Sequence, residues 1–296
     1  MKPSKNPVLT RSDVSSLHRF HPNLFIIGAG KCGTTALFSY LAQHPEIFPS
    51  EKKEPHYYSL ELGEEGGSWD EIPHIADLQS YLRLFEGARD EAYRMEASAS
   101  YLYYSHVPKL LKARVPKARI MILLRDPVER AFSDFKHQRR IGRERESFEN
   151  AIKREMEGGR GYLSQGLYAR QVKRYFEVFG LSSVYVLLYE SFFDGLDRSL
   201  SDVCRWLNID DAFTFDLVAK HNVGSGRVPI SYGLYVIARR VSSWVPPLLR
   251  HGGKQLLTRR MELSEKTRTF LKSYYLEDSR KLCILIGKDL SCRNIW

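Results

Sequence analysis

Three contiguous apolar runs stand out along the chain. Leu24-Phe25-Ile26-Ile27 ends in Gly28, residues 119–124 read RIMILL, and residues 184–188 read VYVLL. Runs of four to six apolar residues bounded by turn formers have the length of strands buried on both faces. Tyr93-Arg94-Met95-Glu96 reads as a further short strand. Between these runs the apolar positions change to helical spacing. Leu37, Tyr40 and Leu41 mark a helix over residues 34–43, and Val128, Phe132 and Phe135 mark one that begins at Pro127. Pro127 suits a first helical turn, where its missing N–H removes no hydrogen bond. Residues 148–156, 168–179, 196–207 and 264–286 complete the helical set, the last opened by Ser264. Strands alternating with helices predict an α/β fold whose central, mostly parallel sheet is covered by helices on both faces. Residues 1–22 read as an extended arm and residues 23–296 as one domain without an internal repeat.

Composition changes this picture little. The chain has 296 residues, 43% of them hydrophobic, enough for a sizeable core. No window approaches 18 consecutive apolar residues, so no transmembrane span is expected, and the polar start lacks a signal-peptide run. The reading is a soluble, cytoplasmic protein. Cys32, Cys204, Cys283 and Cys292 form no CxxC pair, and no histidine cluster has zinc spacing, so reduced thiols and no metal are expected. The net charge of +10 suits a polyanionic partner. Much of it lies in residues 136–145, KHQRRIGRER. That stretch has no interleaved aromatic residue, which argues against a nucleic-acid-binding module.

The candidate chemistry begins after the first strand. Gly28-Ala29-Gly30-Lys31-Cys32-Gly33-Thr34-Thr35 leads from strand to helix. Such a loop presents backbone N–H groups and a positive helix end to an anion. It is not the triphosphate loop of ATPases and kinases, which needs Lys directly after its last Gly, then Ser or Thr. Here Thr34 follows Gly33, and the lysine lies inside the loop at position 31. A nucleotide-dependent kinase stays the alternative that this spacing disfavours.

The Gly-x-x-Lys-x-Gly-Thr-Thr pattern resembles the 5′-phosphosulfate loop of sulfotransferases that use 3′-phosphoadenosine-5′-phosphosulfate (PAPS). A second element follows in family order: Leu123-Leu124-Arg125-Asp126-Pro127, then Arg130-Ala131-Phe132-Ser133-Asp134-Phe135. Both are similar to the branch containing the heparan sulfate sulfotransferase domains. The resemblance implies a P-loop-like three-layer fold, PAPS as donor, and no metal. It implies donor contacts from Gly30, Lys31, Cys32, Gly33, Thr34 and Thr35. Arg125 and Ser133 would hold the 3′-phosphate, Arg125 through its planar fork, while Arg130 reads as structural or surface. Lys31 would meet the charge that develops on the leaving phosphate. Glu54, in Lys52-Lys53-Glu54-Pro55-His56, falls at the family's catalytic Glu and would take the acceptor's proton, with His56 as the rival base. Tyr189 would lie near the adenine. Gly226 and Arg227 would belong to a loop, residues 221–229, that closes over the nucleotide. Tyr168 falls in a recurrent family segment without an assigned role.

Two departures limit the reading. Ala97 stands where the heparan branch has Lys, and no cysteine lies between residues 205 and 282, where that branch has a disulfide. The expected reaction is therefore sulfuryl transfer to a hydroxyl or amine of a small-molecule or glycan acceptor, a carbohydrate or glycoconjugate being favoured. Nucleic acid is not expected as a partner, and a homodimer stays open. Residues 235–257 form an amphipathic stretch that fits core, acceptor cleft, membrane surface or dimer face.

Overall fold

The computed structural model describes residues 21–59, 74–158, 161–218, 227–229 and 258–288. Strand β1 (Leu24–Ile26) lies at the centre of a five-stranded sheet. It pairs in parallel with β3 (Tyr93–Ala97) on one side and β4 (Arg119–Leu124) on the other. β2 (Ile47–Pro49) extends the sheet beyond β3, and β5 (Val184–Leu188) beyond β4, again in parallel. The sheet is thus wholly parallel, with order β2-β3-β1-β4-β5. Leu24, Phe25 and Ile26 are all fully buried. Successive strand residues point to opposite faces, so both faces of the sheet must be covered.

The strand order places a crevice. From β1 the chain moves outward to β2 and returns to β3. It then crosses β1 to reach β4 and continues outward to β5. The connections that follow β1 and β4 therefore diverge, and the gap at their carboxyl ends is where open α/β sheets bind ligands. Backbone bonds carry the zipper past the formal end of β1. Ile27 N–H donates to Met121 O (3.0 Å) and Ala29 N–H to Leu123 O (2.7 Å).

The helices are α1 (Thr34–Leu41), α2 (Leu78–Arg83), α3 (Val107–Arg114), α4 (Pro127–Ile141) and α5 (Phe148–Met156). They continue as α6 (Tyr168–Phe179), α7 (Tyr189–Asp194), α8 (Leu196–Leu207) and α9 (Glu265–Ile286). A second apolar cluster joins α4, α5 and α9 through Phe132, Phe135, Phe148, Ile152, Leu271 and Tyr275. A separate antiparallel pair comprises β6 (Arg227–Pro229) and β7 (Thr258–Arg260).

The expected strands and helices appear with ends shifted by two residues or fewer, except that the helix at Pro127 runs on to Ile141. Asp126 caps that helix, accepting from Val128 N (2.7 Å) and Glu129 N (3.2 Å). Ser264 caps α9 by accepting from Thr267 N (3.2 Å). The sequence pattern missed β2, α2, α3 and α7. β2 is three residues long and closes on Pro49 at a sheet edge. α7 follows β5 with no intervening loop. Cys32 and Cys204 are buried free thiols, and Cys283 is a half-buried one. Among the described residues no helix is long and apolar enough to cross a membrane. Cys292, most of the amino-terminal arm and residues 235–257 lie outside the described residues.

Candidate active site

The loop after β1 is built for close approach. A Cβ on Gly28 would lie 2.7 Å from Cβ of Leu102. Gly33 adopts φ 90°, and a Cβ there would lie 3.0 Å from the Phe193 ring and 3.1 Å from the Tyr189 ring. Only glycine meets both demands at that position. Gly33 is the N-cap of α1, and no side chain caps the helix. The first N–H groups of a helix have no intrahelical acceptor, so this turn presents donors and a positive dipole end together. Thr34 is buried and Thr35 half-buried in that turn. Cys32 is fully buried behind the loop, its Sγ 3.6 Å from the Tyr168 hydroxyl. Burial pushes its thiol up to about 11, so it is a packing group rather than a nucleophile. Tyr168 thereby gains a structural role.

Lys31 takes a positive φ of 69°. Burial lowers its pKa, and the charge of Asp134 on α4 partly offsets this. Asp134 pairs with Arg130 (3.5 Å), which is fully buried and also donates to the Tyr162 carbonyl. Arg130 is therefore an internal brace for the helix that faces Lys31. Its structural assignment holds.

Arg125 leaves β4 with its guanidinium over the Tyr189 ring, 4.8 Å from the centroid. Tyr189 opens α7 at the carboxyl end of β5, so three strand ends converge on one corner. Glu190 accepts from Asp126 N (3.2 Å) and ties α7 to the Arg125 turn. Ser133 lies two turns along α4, half-buried. Burial lowers the pKa of His137, one turn further on the same face, and the positive charge of Lys31 lowers it further. The sequence contained that signal as the spacing of residues 133 and 137, but nothing marked the histidine as facing the loop.

Glu54 and His56 meet at the end of β3. Glu54 N–H donates to the Ala97 carbonyl (2.8 Å), and Ala97 is the register partner of Ile26. Glu54 Oε2 accepts from Ala99 N–H (2.8 Å) and lies 3.4 Å from His56 Nε2, while Oε1 contacts Lys53. The other ring nitrogen of His56 is 2.7 Å from Ser100 Oγ, and the backbone N–H of His56 donates to Ser98 Oγ (3.0 Å). Burial lowers the His56 pKa, partly offset by Glu54. Residues 97–100 thus hold both candidate bases, a role the sequence did not disclose. Beneath them Glu96 is fully buried, bonded by the hydroxyls of Tyr81 (2.7 Å) and Tyr101 (3.1 Å). Burial raises its carboxyl to about 7.

Gly226 lies outside the described residues, and Arg227 is described only as backbone in β6. Among the described residues no cluster of His, Cys, Asp or Glu could hold a metal ion.

A family model for the sulfotransferase domain matches residues 21–222. The crystal structure of a sulfotransferase from Alicyclobacillus acidocaldarius is 33% identical, covers 92% of this chain and 98% of its own, and superposes with a TM-score of 0.73. The bifunctional heparan sulfate N-deacetylase/N-sulfotransferase 4 of Mus musculus is 34% identical over 125 residues, 40% of this chain and 13% of that protein. Carbohydrate sulfotransferase 15 of Homo sapiens is 29% identical over 153 residues, 38% of this chain and 27% of that protein. The chain therefore corresponds to a fraction of the length of these two curated relatives.

Proposed function

The chain belongs to the sulfotransferase family, and from that premise we propose that it moves the sulfuryl group of PAPS to a hydroxyl or amine of a carbohydrate or glycoconjugate, with Glu54 as general base. One observation carries the assignment of the base. Glu54 is held at Oε2 by Ala99 N–H and His56, in a backbone conformation of φ 59°. A carboxylate fixed in this way, 29% exposed, can take a proton from an acceptor without first reorganising.

The residues divide the work as follows. Glu54 withdraws the acceptor proton as the acceptor oxygen or nitrogen bonds to sulfur. The bond between sulfur and the bridging phosphate oxygen breaks, and its electron pair stays with the departing 3′,5′-bisphosphate. Lys31 and the N–H groups of Gly33, Thr34 and Thr35 meet that negative charge. Arg125 and Ser133 hold the 3′-phosphate, the feature that separates this donor from ordinary nucleotides. Tyr189 supplies the ring under Arg125 and borders the adenine. Gly30 and Cys32 shape the loop, and Gly226 and Arg227 close over the nucleotide. His56 orients Glu54 rather than replacing it, because its Nε2 faces the Glu54 carboxylate and its Nδ1 is engaged with Ser100.

Two measurements test the reading. Adenosine 3′,5′-bisphosphate should raise the melting temperature markedly more than ADP or ATP does. Equal shifts for the three would remove the donor assignment. Glu54→Gln should abolish transfer from labelled PAPS across a panel of glycan acceptors while keeping the bisphosphate shift. Surviving transfer would remove Glu54 from its role.

A further inference from the structure

The binding corner contains a carboxylate that works against it. Glu129 lies one helical turn beyond Arg125, and its Oε2 is 3.8 Å from Arg125 Nη2. An anion in that position competes with a phosphate for the same guanidinium. It also places negative charge beside the pocket that must accept a phosphate dianion. The Glu129 side chain has a second partner. Arg268 Nη1, on the C-terminal helix α9, lies 2.8 Å from Glu129 Oε1. The closer contact is therefore with Arg268. Arg268 Nε also reaches Glu265 Oε1 at 3.7 Å. Nearby, the Asp126 carboxylate is occupied in capping α4. Lys136 is close enough to sense Glu129 but is dominated by its own partial burial.

We propose that Arg268 is a positioning residue for donor binding: it draws Glu129 away from Arg125 and leaves the Arg125 guanidinium available to the 3′-phosphate. This rests on the donor reading given above. The residue comes from outside the donor motifs. It lies beyond residues 21–222, the stretch that the family model matches, and 139 positions from Glu129. The C-terminal helix thereby contributes charge control to a site whose contacts are made elsewhere. Without Arg268, Arg125 is the remaining ion-pair partner of Glu129 among the described residues, and the phosphate must displace it.

The test is calorimetric titration with adenosine 3′,5′-bisphosphate and, in parallel, adenosine 5′-phosphate, which lacks the 3′-phosphate. Arg268→Gln should weaken bisphosphate binding about fivefold, the upper range for a part-exposed pair, and leave the 5′-phosphate unchanged. Adding Glu129→Gln to that variant should restore wild-type affinity. Equal weakening for both nucleotides, or no restoration in the double variant, overturns the proposal, since either would reflect lost packing of α9. Should Arg268→Gln not fold, Glu129→Gln alone decides. Unchanged or tighter bisphosphate binding supports the proposal. Weaker binding means that Glu129 orients Arg125 for the phosphate, and overturns it. If the wild type binds the two nucleotides equally, the donor reading fails and this proposal falls with it. A wild-type preference that Arg268→Gln leaves intact removes this proposal alone.

Discussion

Gly33 offers the sharpest link between backbone geometry and the donor site. Gly33→Ala would force a non-glycine residue into φ 90°, ψ 14°. That conformation costs an L-residue about 1–2 kcal/mol. The new methyl would also sit 3.0 Å from the Phe193 ring and 3.1–3.2 Å from the Tyr189 ring. Both rings belong to α7, and Phe193 packs edge-to-face against Phe192 with centroids 4.9 Å apart, so retreat shifts a packed neighbour. Overpacking of this kind adds about 1–3 kcal/mol. The total, about 2–5 kcal/mol, corresponds to a fall in melting temperature of roughly 3–8 °C for a chain of this size. Displacing Tyr189 also disturbs the ring beneath Arg125, so binding of adenosine 3′,5′-bisphosphate should weaken in the same variant. Gly287→Ala is the control. Gly287 has φ 62° and no atom within 4 Å of a built Cβ, so it carries the backbone cost, about 1 kcal/mol, without the clash. Scanning calorimetry of the two variants with and without the bisphosphate separates the contributions. A Gly33→Ala protein that melts like Gly287→Ala and binds nucleotide like wild type would refute the steric reasoning.

Two further outcomes follow from buried titratable groups. Glu96 has a folded-state carboxyl raised to about 7 from an ordinary value of 4.5. Between those values the native state holds the proton more tightly than the unfolded chain, so stability should fall as pH rises from about 4.5 to 7. Denaturant titrations across that range should show a flatter slope for Glu96→Gln, and an unchanged slope would mean that Glu96 is ionised in the fold. Cys32, buried with its thiol raised to about 11, should resist iodoacetamide at pH 8 in the native protein and react in urea. Rapid native labelling at Cys32 would show that the loop opens to solvent.

The sheet was legible because β1, β4 and β5 are unbroken apolar runs, and a parallel strand buried on both faces leaves that trace. The turn from β1 into α1 was legible because a Gly-rich run separates an apolar run from helical spacing. What stayed hidden depends on contacts across the chain. Glu54 sits in a run of Lys and Glu that looks solvated, yet it is fixed by Ala97 and Ala99, more than 40 positions away. Arg268 meets Glu129 only because α9 packs on α4. Arg130 and Asp134 carry charges on a helix that is otherwise rich in part-exposed polar residues, and only the packed structure buries the two as a pair. α2 and α3 span six and eight residues, too few for an apolar period to rise above the surrounding polar sequence.

Backbone strain ties the candidate residues together in a way no motif expresses. Among the described residues, four that are not glycine take a left-handed φ: Lys31, Glu54, His56 and Asn208. Asn208 caps α8 at its C-terminus, a position where asparagine commonly adopts this conformation. The other three are the residues to which the proposed chemistry assigns charge stabilisation, proton removal and orientation. Such a conformation costs about 1 kcal/mol or more at each site and survives only where neighbours over-determine it. At Glu54 the N–H bond to Ala97 and the carboxylate bond from Ala99 supply that constraint, and at His56 Ser98 and Ser100 do so. The segment 97–100 therefore offsets the strain and aims both side chains in the same set of contacts. A base held in this way has lost its orientational freedom during folding, so little remains to be lost when acceptor and donor meet. The same logic explains why the lysine belongs inside the loop. At a left-handed position between two glycines, Lys31 is directed by the turn itself, and the charge of Asp134, paired with Arg130, partly offsets the lowering that burial imposes on its pKa.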